Sequence, residues 1–372
     1  MKVLYVFEEI DAGERHQLLG MVDHGLDVRV ICDPAAKYQD DLRRAGITVE
    51  HIQWGGRIDR EAIARVRAIV LHEKPALVHV FVKIALSNVI RAIRDLPPKL
   101  VAYRGIVGNL HWLNPSSRRS FLNRRVDAII CVCEAIRQDL LANRFLGWRV
   151  PPEKVVTIHK GHYADFWRKP PLRLSDYGVP GDGPVIGCVA QMRKRKGIPA
   201  LIHALEQLEN PRARLVLVGD VADREVARCI RQSPARDRIH QLGWQDDASR
   251  ISGAFDIFVL PALRREGLPR AVIEAMCQNV PPVVTRAGGS PELVEDGVSG
   301  LVVPPGDADA LAGALGSLLS NPEARRRMGQ AAEQRIRECF TPERTVRETL
   351  ALYEKLTGWR PAQAAPALAQ QG

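Results

Sequence analysis

The chain has 372 residues, 46% of them hydrophobic, and its 53 Lys and Arg outnumber 43 Asp and Glu to give a formal net charge of +10. That length exceeds what one hydrophobic core usually serves, so two globular domains are expected. No apolar run approaches the roughly 20 residues of a membrane helix, aromatic residues make up only 5%, and neither zinc-finger spacing nor an RNA-recognition signature occurs, which argues against a membrane-spanning protein and against nucleic acid as a partner. The seven cysteines, at 32, 131, 133, 188, 229, 277 and 339, are odd in number and scattered. They form no disulfide framework, and a soluble protein of a reducing cytoplasm is the expectation.

The first apolar run, residues 2–7, is too short for a signal peptide and meets Glu8-Glu9 at once, so it reads as a buried strand. The loop after it, Glu8-Glu9-Ile10-Asp11-Ala12-Gly13-Glu14-Arg15, lacks the Gly-x-Gly-x-x-Gly of dinucleotide enzymes, and its acidity would repel a pyrophosphate. Further strands are predicted near 27–32, 47–51, 76–81, 99–103, 127–132 and 154–158, with helices such as 59–73 and 134–142 between them. His79 and Lys83 follow one of these strands and could line a cleft, although a lone histidine is more often satisfied within a fold. Cys131 and Cys133 alternate along a strand and point to opposite faces, which favours core packing over metal. From 91 to 160 there are thirteen Lys and Arg against five Asp and Glu. The segment with Arg118-Arg119, Phe121-Leu122 and Arg124-Arg125 reads as an amphipathic helix, either a lip for an anionic membrane surface or a solvated basic face.

Residues 169–183, rich in Pro and Gly and without periodicity, read as a hinge. Beyond it strands are predicted near 185–190, 214–219, 238–242, 256–260, 281–285 and 300–303. Alternating strands and helices of this kind are the mark of parallel α/β layers, here two Rossmann-type halves. The loop Gln191-Met192-Arg193-Lys194-Arg195-Lys196-Gly197 follows a strand and precedes a helix, so its basic residues would lie at the ligand-binding edge of a parallel sheet and suit a diphosphate. Lys194 and Arg195 are read as solvated. Asp220 ends a strand at the same edge, either shaping a nucleotide pocket or making a turn.

Glu266 and Glu274 stand eight residues apart around a helix start, with Gly267, Leu268 and Pro269 following the first of them. Pro269 suits the first helical position, where its missing N–H costs nothing. Helix amides and two flanking carboxylates make a socket for an anion bordered by hydroxyl groups, which describes a nucleotide sugar. Asp307-Ala308-Asp309 opens a helix and is explained by capping, and the histidines show no ligand spacing, so no metal is expected. Helices at 322–339 and 343–357 follow, the second with Thr341 as its cap, and residues 361–372 read as a flexible tail.

With the strand at 256–261 before Glu266, the strand at 282–285, the glycine loop at 287–292 and Asp296-Gly297 leading to residues 300–304, the chain resembles glycosyltransferase family 4, the retaining nucleotide-sugar transferases of GT-B fold. The resemblance covers nearly the whole chain and is most specific from about 187 to 306. It implies an α/β architecture of two Rossmann-like domains with parallel sheets facing an interdomain cleft: 1–168 for the acceptor, 169–183 as linker, 184–340 for the nucleotide sugar, then a C-terminal helix at 341–360. It places Glu266 at the donor-sugar hydroxyls and Lys196 at the diphosphate. Arg193 could replace the family's arginine, whose place is held by Gln191. Gly243 lies beside the base, Gly288-Gly289 near the phosphate, and Gly13 near the transferring sugar, with Ala12 where the family has a first glycine. Arg104 occupies a place where many members have histidine; it cannot act as a base, but it could hold a hydroxyl, phosphate or carboxylate of the acceptor. The implied reaction moves a sugar, with retention, from a nucleotide diphosphate to a glycan or lipid-linked acceptor of cell-envelope polysaccharide or lipopolysaccharide type. No cofactor is expected. A nucleotide-sugar 2-epimerase and a non-catalytic nucleotide-sugar binder are the alternatives.

Overall fold

A computed structural model describes residues 1–360; the expected tail at 361–372 lies outside the described residues. The chain forms two compact units, Met1–Gly161 with the segment beginning at Thr341, and His162–Phe340. Residues 169–183 thus fall within the second unit, where Leu174–Tyr177 makes a 3-10 turn. The helix Pro342–Thr357 belongs to the first.

The first unit holds strands β1 (Lys2–Val6), β2 (Asp27–Cys32), β3 (Thr48–His51), β4 (Leu77–Val80), β5 (Lys99–Arg104), β6 (Ala128–Cys131) and β7 (Val155–Thr157). All pair in parallel, in the order β3-β2-β1-β4-β5-β6-β7. Every residue of β4 and β6 is buried, as expected where helices cover both faces of a sheet. The strand order reverses between β1 and β4, so the loops after these two border the switch point where such sheets bind ligands. The terminal helix Pro342–Thr357 is tied in by Tyr353, whose buried hydroxyl lies 2.7 Å from His79 Nδ1 and 3.0 Å from the Tyr5 hydroxyl. His79 is only 1% exposed and lines no cleft, contrary to one expectation. Burial with no compensating charge pushes its imidazole down to about 3.

The segment of paired arginines differs from expectation. Only Pro115–Arg118 is helical. Phe121 and Leu122 are buried, and Arg125 gives its guanidinium to the carbonyls of Ile93, Leu96 and Pro98 and to Asp127. Loop carbonyls left open by short elements recruit that side chain, so periodicity alone misreads it.

The second unit holds β8 (Val185–Val189), β9 (Arg214–Val218), β10 (Ile239–Gly243), β11 (Ile257–Leu260), β12 (Pro282–Thr285) and β13 (Leu301–Val303), again all parallel, in the order β10-β9-β8-β11-β12-β13. Successive residues serve opposite faces: Leu215, Leu217, Ile257 and Val259 join one apolar cluster, and Val216, Val218, Phe258 and Leu260 the other. Here the order reverses between β8 and β11. No helix among the described residues is long and apolar enough to cross a membrane.

Candidate active site

The loops after β8 and β11 flank the switch point of the second sheet, and they carry the expected cationic and acidic residues. Gly197 ends the β8 loop at φ +72°, and a Cβ there would overlap the Pro261 carbonyl oxygen, so the two loops approach as closely as a bare backbone permits. The Leu263 N–H donates to the Arg195 carbonyl at 2.9 Å. Across this contact Lys196 Nζ meets Glu266 Oε1 at 2.8 Å, with the side chains only 15% and 7% exposed. Arg195, read as solvated, instead lies 3.8 Å from the same oxygen. Lys194 does face solvent and pairs with Glu225 at 2.9 Å. Arg193 is exposed, at the start of the 3-10 turn Lys194–Lys196.

Pro269 precedes the helix Arg270–Cys277 rather than occupying its first position: its ψ of 112° is extended, and its carbonyl accepts the N–H groups of Val272 and Ile273. No side chain caps this helix, which leaves its first amides available to an anion. Glu274 sits beyond them, 5% exposed, and Arg270 reaches it at 3.0 Å. Gly267 accepts the Gly289 N–H at 3.1 Å, fixing the acidic loop against the one after β12. Gly267 and Leu268 are half-buried between the two glutamates. Asp220 is exposed beyond β9; its carbonyl accepts the Met192 N–H at 3.0 Å, joining the basic loop to the β9 edge. Gly243, ending β10, accepts the Gly219 N–H at 2.7 Å. Glu266, Lys196, Gly267 and the approach to Glu274 thus share one edge of the second unit.

In the first unit, Gly13 lies in the first turn of the helix Ala12–Asp23, which is closed by a capping box between Asp11 and Glu14. Both carboxylates also take the Lys160 ammonium, each at 2.8 Å. Burial opposes the charge on Lys160, but Glu14, Tyr103 and Asp11 outweigh it and hold the ammonium well above its usual range. Sequence reasoning misses this cluster, since Lys160 stands 149 positions from Asp11; its one local signal is a Lys-Gly pair after β7. Arg104 ends β5 with 3% exposure, donating to the Gly108 carbonyl and stacking over Phe121 at 5.0 Å. Its Nε has no partner. Among the described residues no group of three His, Cys, Asp or Glu is placed to hold a metal ion.

Two family profiles match: "Glycosyl transferases group 1" over residues 174–335 and "Glycosyl transferase 4-like domain" over 15–161. The lipopolysaccharide core biosynthesis glycosyltransferase LpsD of Rhizobium meliloti is 24% identical over 362 residues, spanning 95% of this chain and 98% of that protein. The putative colanic acid biosynthesis glycosyltransferase WcaL of Salmonella typhimurium is 32% identical over 188 residues, 48% of this chain and 45% of that one. Among solved structures, Anabaena Alr3699/HepE in complex with UDP superimposes with a TM-score of 0.77 at 21% identity, covering 96% of this chain and all of that one. Two parallel-sheet units and these matches, reaching across both, make the chain a glycosyltransferase of the family 4 type with the GT-B fold.

Proposed function

We propose that the protein transfers a sugar, with retention, from a nucleotide diphosphate to a hydroxyl of a glycan or lipid-linked acceptor in lipopolysaccharide or polysaccharide assembly. The observation that carries this is the Lys196–Glu266 pair, 2.8 Å apart at the switch point of the second sheet beside an uncapped helix that buries Glu274. A diphosphate there takes charge from Lys196 and Arg193 and hydrogen bonds from the Leu268 N–H and the first helix amides after Pro269. Glu266 and Glu274 accept from the hydroxyls of hexose and ribose, while Asp220 and Gly243 border the nucleoside. Full-length relatives of lipopolysaccharide core biosynthesis support the acceptor class, and a structural neighbour bound to UDP-glucose supports the donor class.

In this reading the bond from the anomeric carbon to the leaving phosphate oxygen breaks as the acceptor oxygen bonds to the same face. The acceptor proton passes to the departing phosphate. Such a step asks for positioning and for stabilisation of the negative charge that develops on the phosphate, both supplied by fixed cations and amides. The first unit binds the acceptor, with Gly13 and Arg104 at its C-terminal strand edges.

A thermal-shift series with UDP-, GDP- and ADP-sugars tests the donor assignment, because a ligand that binds only the native state stabilises it by mass action. One nucleotide class is expected to raise the transition, and Glu274→Ala to abolish the rise. Absence of any shift, or an undiminished shift in the variant, would overturn the site. Incubation with donor alone is expected to leave it unchanged or slowly hydrolysed; formation of an epimer would identify a different reaction.

A further inference from the structure

The first unit holds a second concentration of charge that the donor site does not use. A cavity of about 250 Å³ is lined by Arg57 from the loop after β3, Ser87 from the helix Lys83–Ala92, and Asn114, Ser116 and Arg119 from the segment after β5. That is many times the roughly 10–15 Å³ that one water needs on this measure, so the cavity has room for a small polar ligand. Its walls are fixed: the buried Asn88 amide donates to the Gly56 carbonyl at 2.8 Å and accepts the Asp59 N–H at 2.9 Å, pinning the Arg57 loop to the helix. The nearest carboxylate in sequence, Asp59, is taken up by the N–H groups of Gly55 and Ala62.

Two more cations stand on elements that adjoin these walls in the chain, Lys83 on the helix of Ser87 and Arg104 at the end of β5. Lys83 opens the helix that supplies Ser87, and its carbonyl accepts the Ser87 hydroxyl. Burial, and then the charges of Arg57 and Arg104, push its ammonium below the usual range. None of Arg57, Lys83, Arg104 and Arg119 forms an ion pair among the described residues. Asp139 is the one carboxylate that bears on Arg104, and one of its oxygens is engaged by the Gly108 N–H at 2.9 Å. Arg57, Lys83 and Arg119 have no such carboxylate among the described residues; like charges repel, and a bound oxyanion relieves that repulsion while gaining charge-assisted hydrogen bonds.

We infer that this cavity binds a phosphate or carboxylate carried by the acceptor, with Arg57 and Arg119 as its direct ligands and Lys83 and Arg104 supplying the surrounding positive field. The assignment rests on the transferase reading for the word acceptor, but the anion site itself does not. It makes the acceptor an acidic sugar rather than a neutral one, and it places that acid at the C-terminal edges of β3, β4 and β5.

The test is calorimetric titration of the full chain at low ionic strength with glucose 6-phosphate, glucuronate and glucose, using wild type, an Arg57→Gln/Arg119→Gln double variant and Lys196→Met. Wild type is expected to bind at least one of the acidic sugars tenfold or more tighter than glucose, and the preferred acid distinguishes phosphate from carboxylate. The double variant is expected to lose at least tenfold, Arg57→Lys/Arg119→Lys to recover part of it, and Lys196→Met to stay within twofold. Both arginines are exposed, so an unchanged unfolding midpoint checks that the fold is intact. Equal binding of acidic and neutral sugars, or a loss that follows Lys196 instead of the arginines, overturns the proposal. The nucleotide-sugar thermal shift run on the double variant separates the two ideas: a retained shift with lost acid binding supports both. Acid binding without any nucleotide shift, even in wild type, leaves the anion site standing and removes the donor assignment.

Discussion

Replacing Lys196 by Met would strand the Glu266 carboxylate, whose side chain is 7% exposed and whose nearest cation is 2.8 Å away. Removing one member of a buried pair costs about 3–5 kcal/mol because the other charge stays behind without a partner. Arg195, 3.8 Å from the same oxygen, takes up part of that deficit, so about 3 kcal/mol is expected. Glu266→Gln leaves an amide oxygen that still accepts from Lys196, and should cost less, about 2 kcal/mol. The double variant Lys196→Met/Glu266→Gln carries neither charge and is expected to lose about 2–3 kcal/mol, well short of the sum of the singles. A coupling of about 2 kcal/mol therefore appears in the cycle. Urea unfolding midpoints at constant slope measure all four proteins. Single losses that add to within about 0.5 kcal/mol would refute the reasoning, since residues in one charged contact do not behave independently.

Gly197→Ala and Gly178→Ala put a methyl group on residues at φ +72° and +74°, but only the first collides, with the Pro261 carbonyl oxygen. Gly178→Ala should cost about 1–2 kcal/mol for the left-handed backbone, Gly197→Ala clearly more, and equal midpoints would deny the close approach of the two loops. His79 binds its proton near pH 3 when folded and near its ordinary 6.5 when unfolded, so the unfolded chain holds more protons between those values and stability falls as pH drops through 6.5. Between pH 7 and 5 this amounts to about 2 kcal/mol; His79→Gln should flatten the pH dependence of the unfolding midpoint by that much, and an unchanged slope would show that the ring is not buried neutral. Lys160→Met leaves Asp11 and Glu14 facing each other without their cation, and a loss of about 3 kcal/mol is expected. That loss should shrink on acidification as the two carboxyls protonate, and a pH-independent loss would argue against charge as its cause.

The thirteen strands among the described residues lie within a residue or so of their predicted positions, and the signal is plainest in the central ones such as β4, β6, β11 and β12, since a strand buried on both faces must be written as a short continuous hydrophobic stretch. Glu266 and Glu274 were legible for a related reason: they and the helix between them are contiguous in sequence. What escaped the sequence depends on distant partners. The clasp of Lys160 on Asp11 and Glu14 and the meeting of Arg57 and Arg119 on one cavity are assembled from segments far apart in sequence. Pro269 was misplaced by one position because its φ fits a helix equally well inside the first turn or just before it, and only ψ decides. Periodicity misplaces Arg125 because carbonyls at 93, 96 and 98 claim it, and their need is visible only once the chain has turned.

The path of the backbone carries a consequence of its own. The His162 N–H donates to the Phe340 carbonyl at 2.8 Å, so the second unit starts and finishes at a single point. It is a cassette spliced into the first, whose own fold is completed by the helix ending at Thr357 with Tyr353 locked onto Tyr5 and His79. Neighbouring ends are what allow one domain to be lodged inside another at small entropic cost. Residues 162–340 are therefore a transplantable piece, and a ribosome releases this inserted unit before the unit it interrupts has received its last helix.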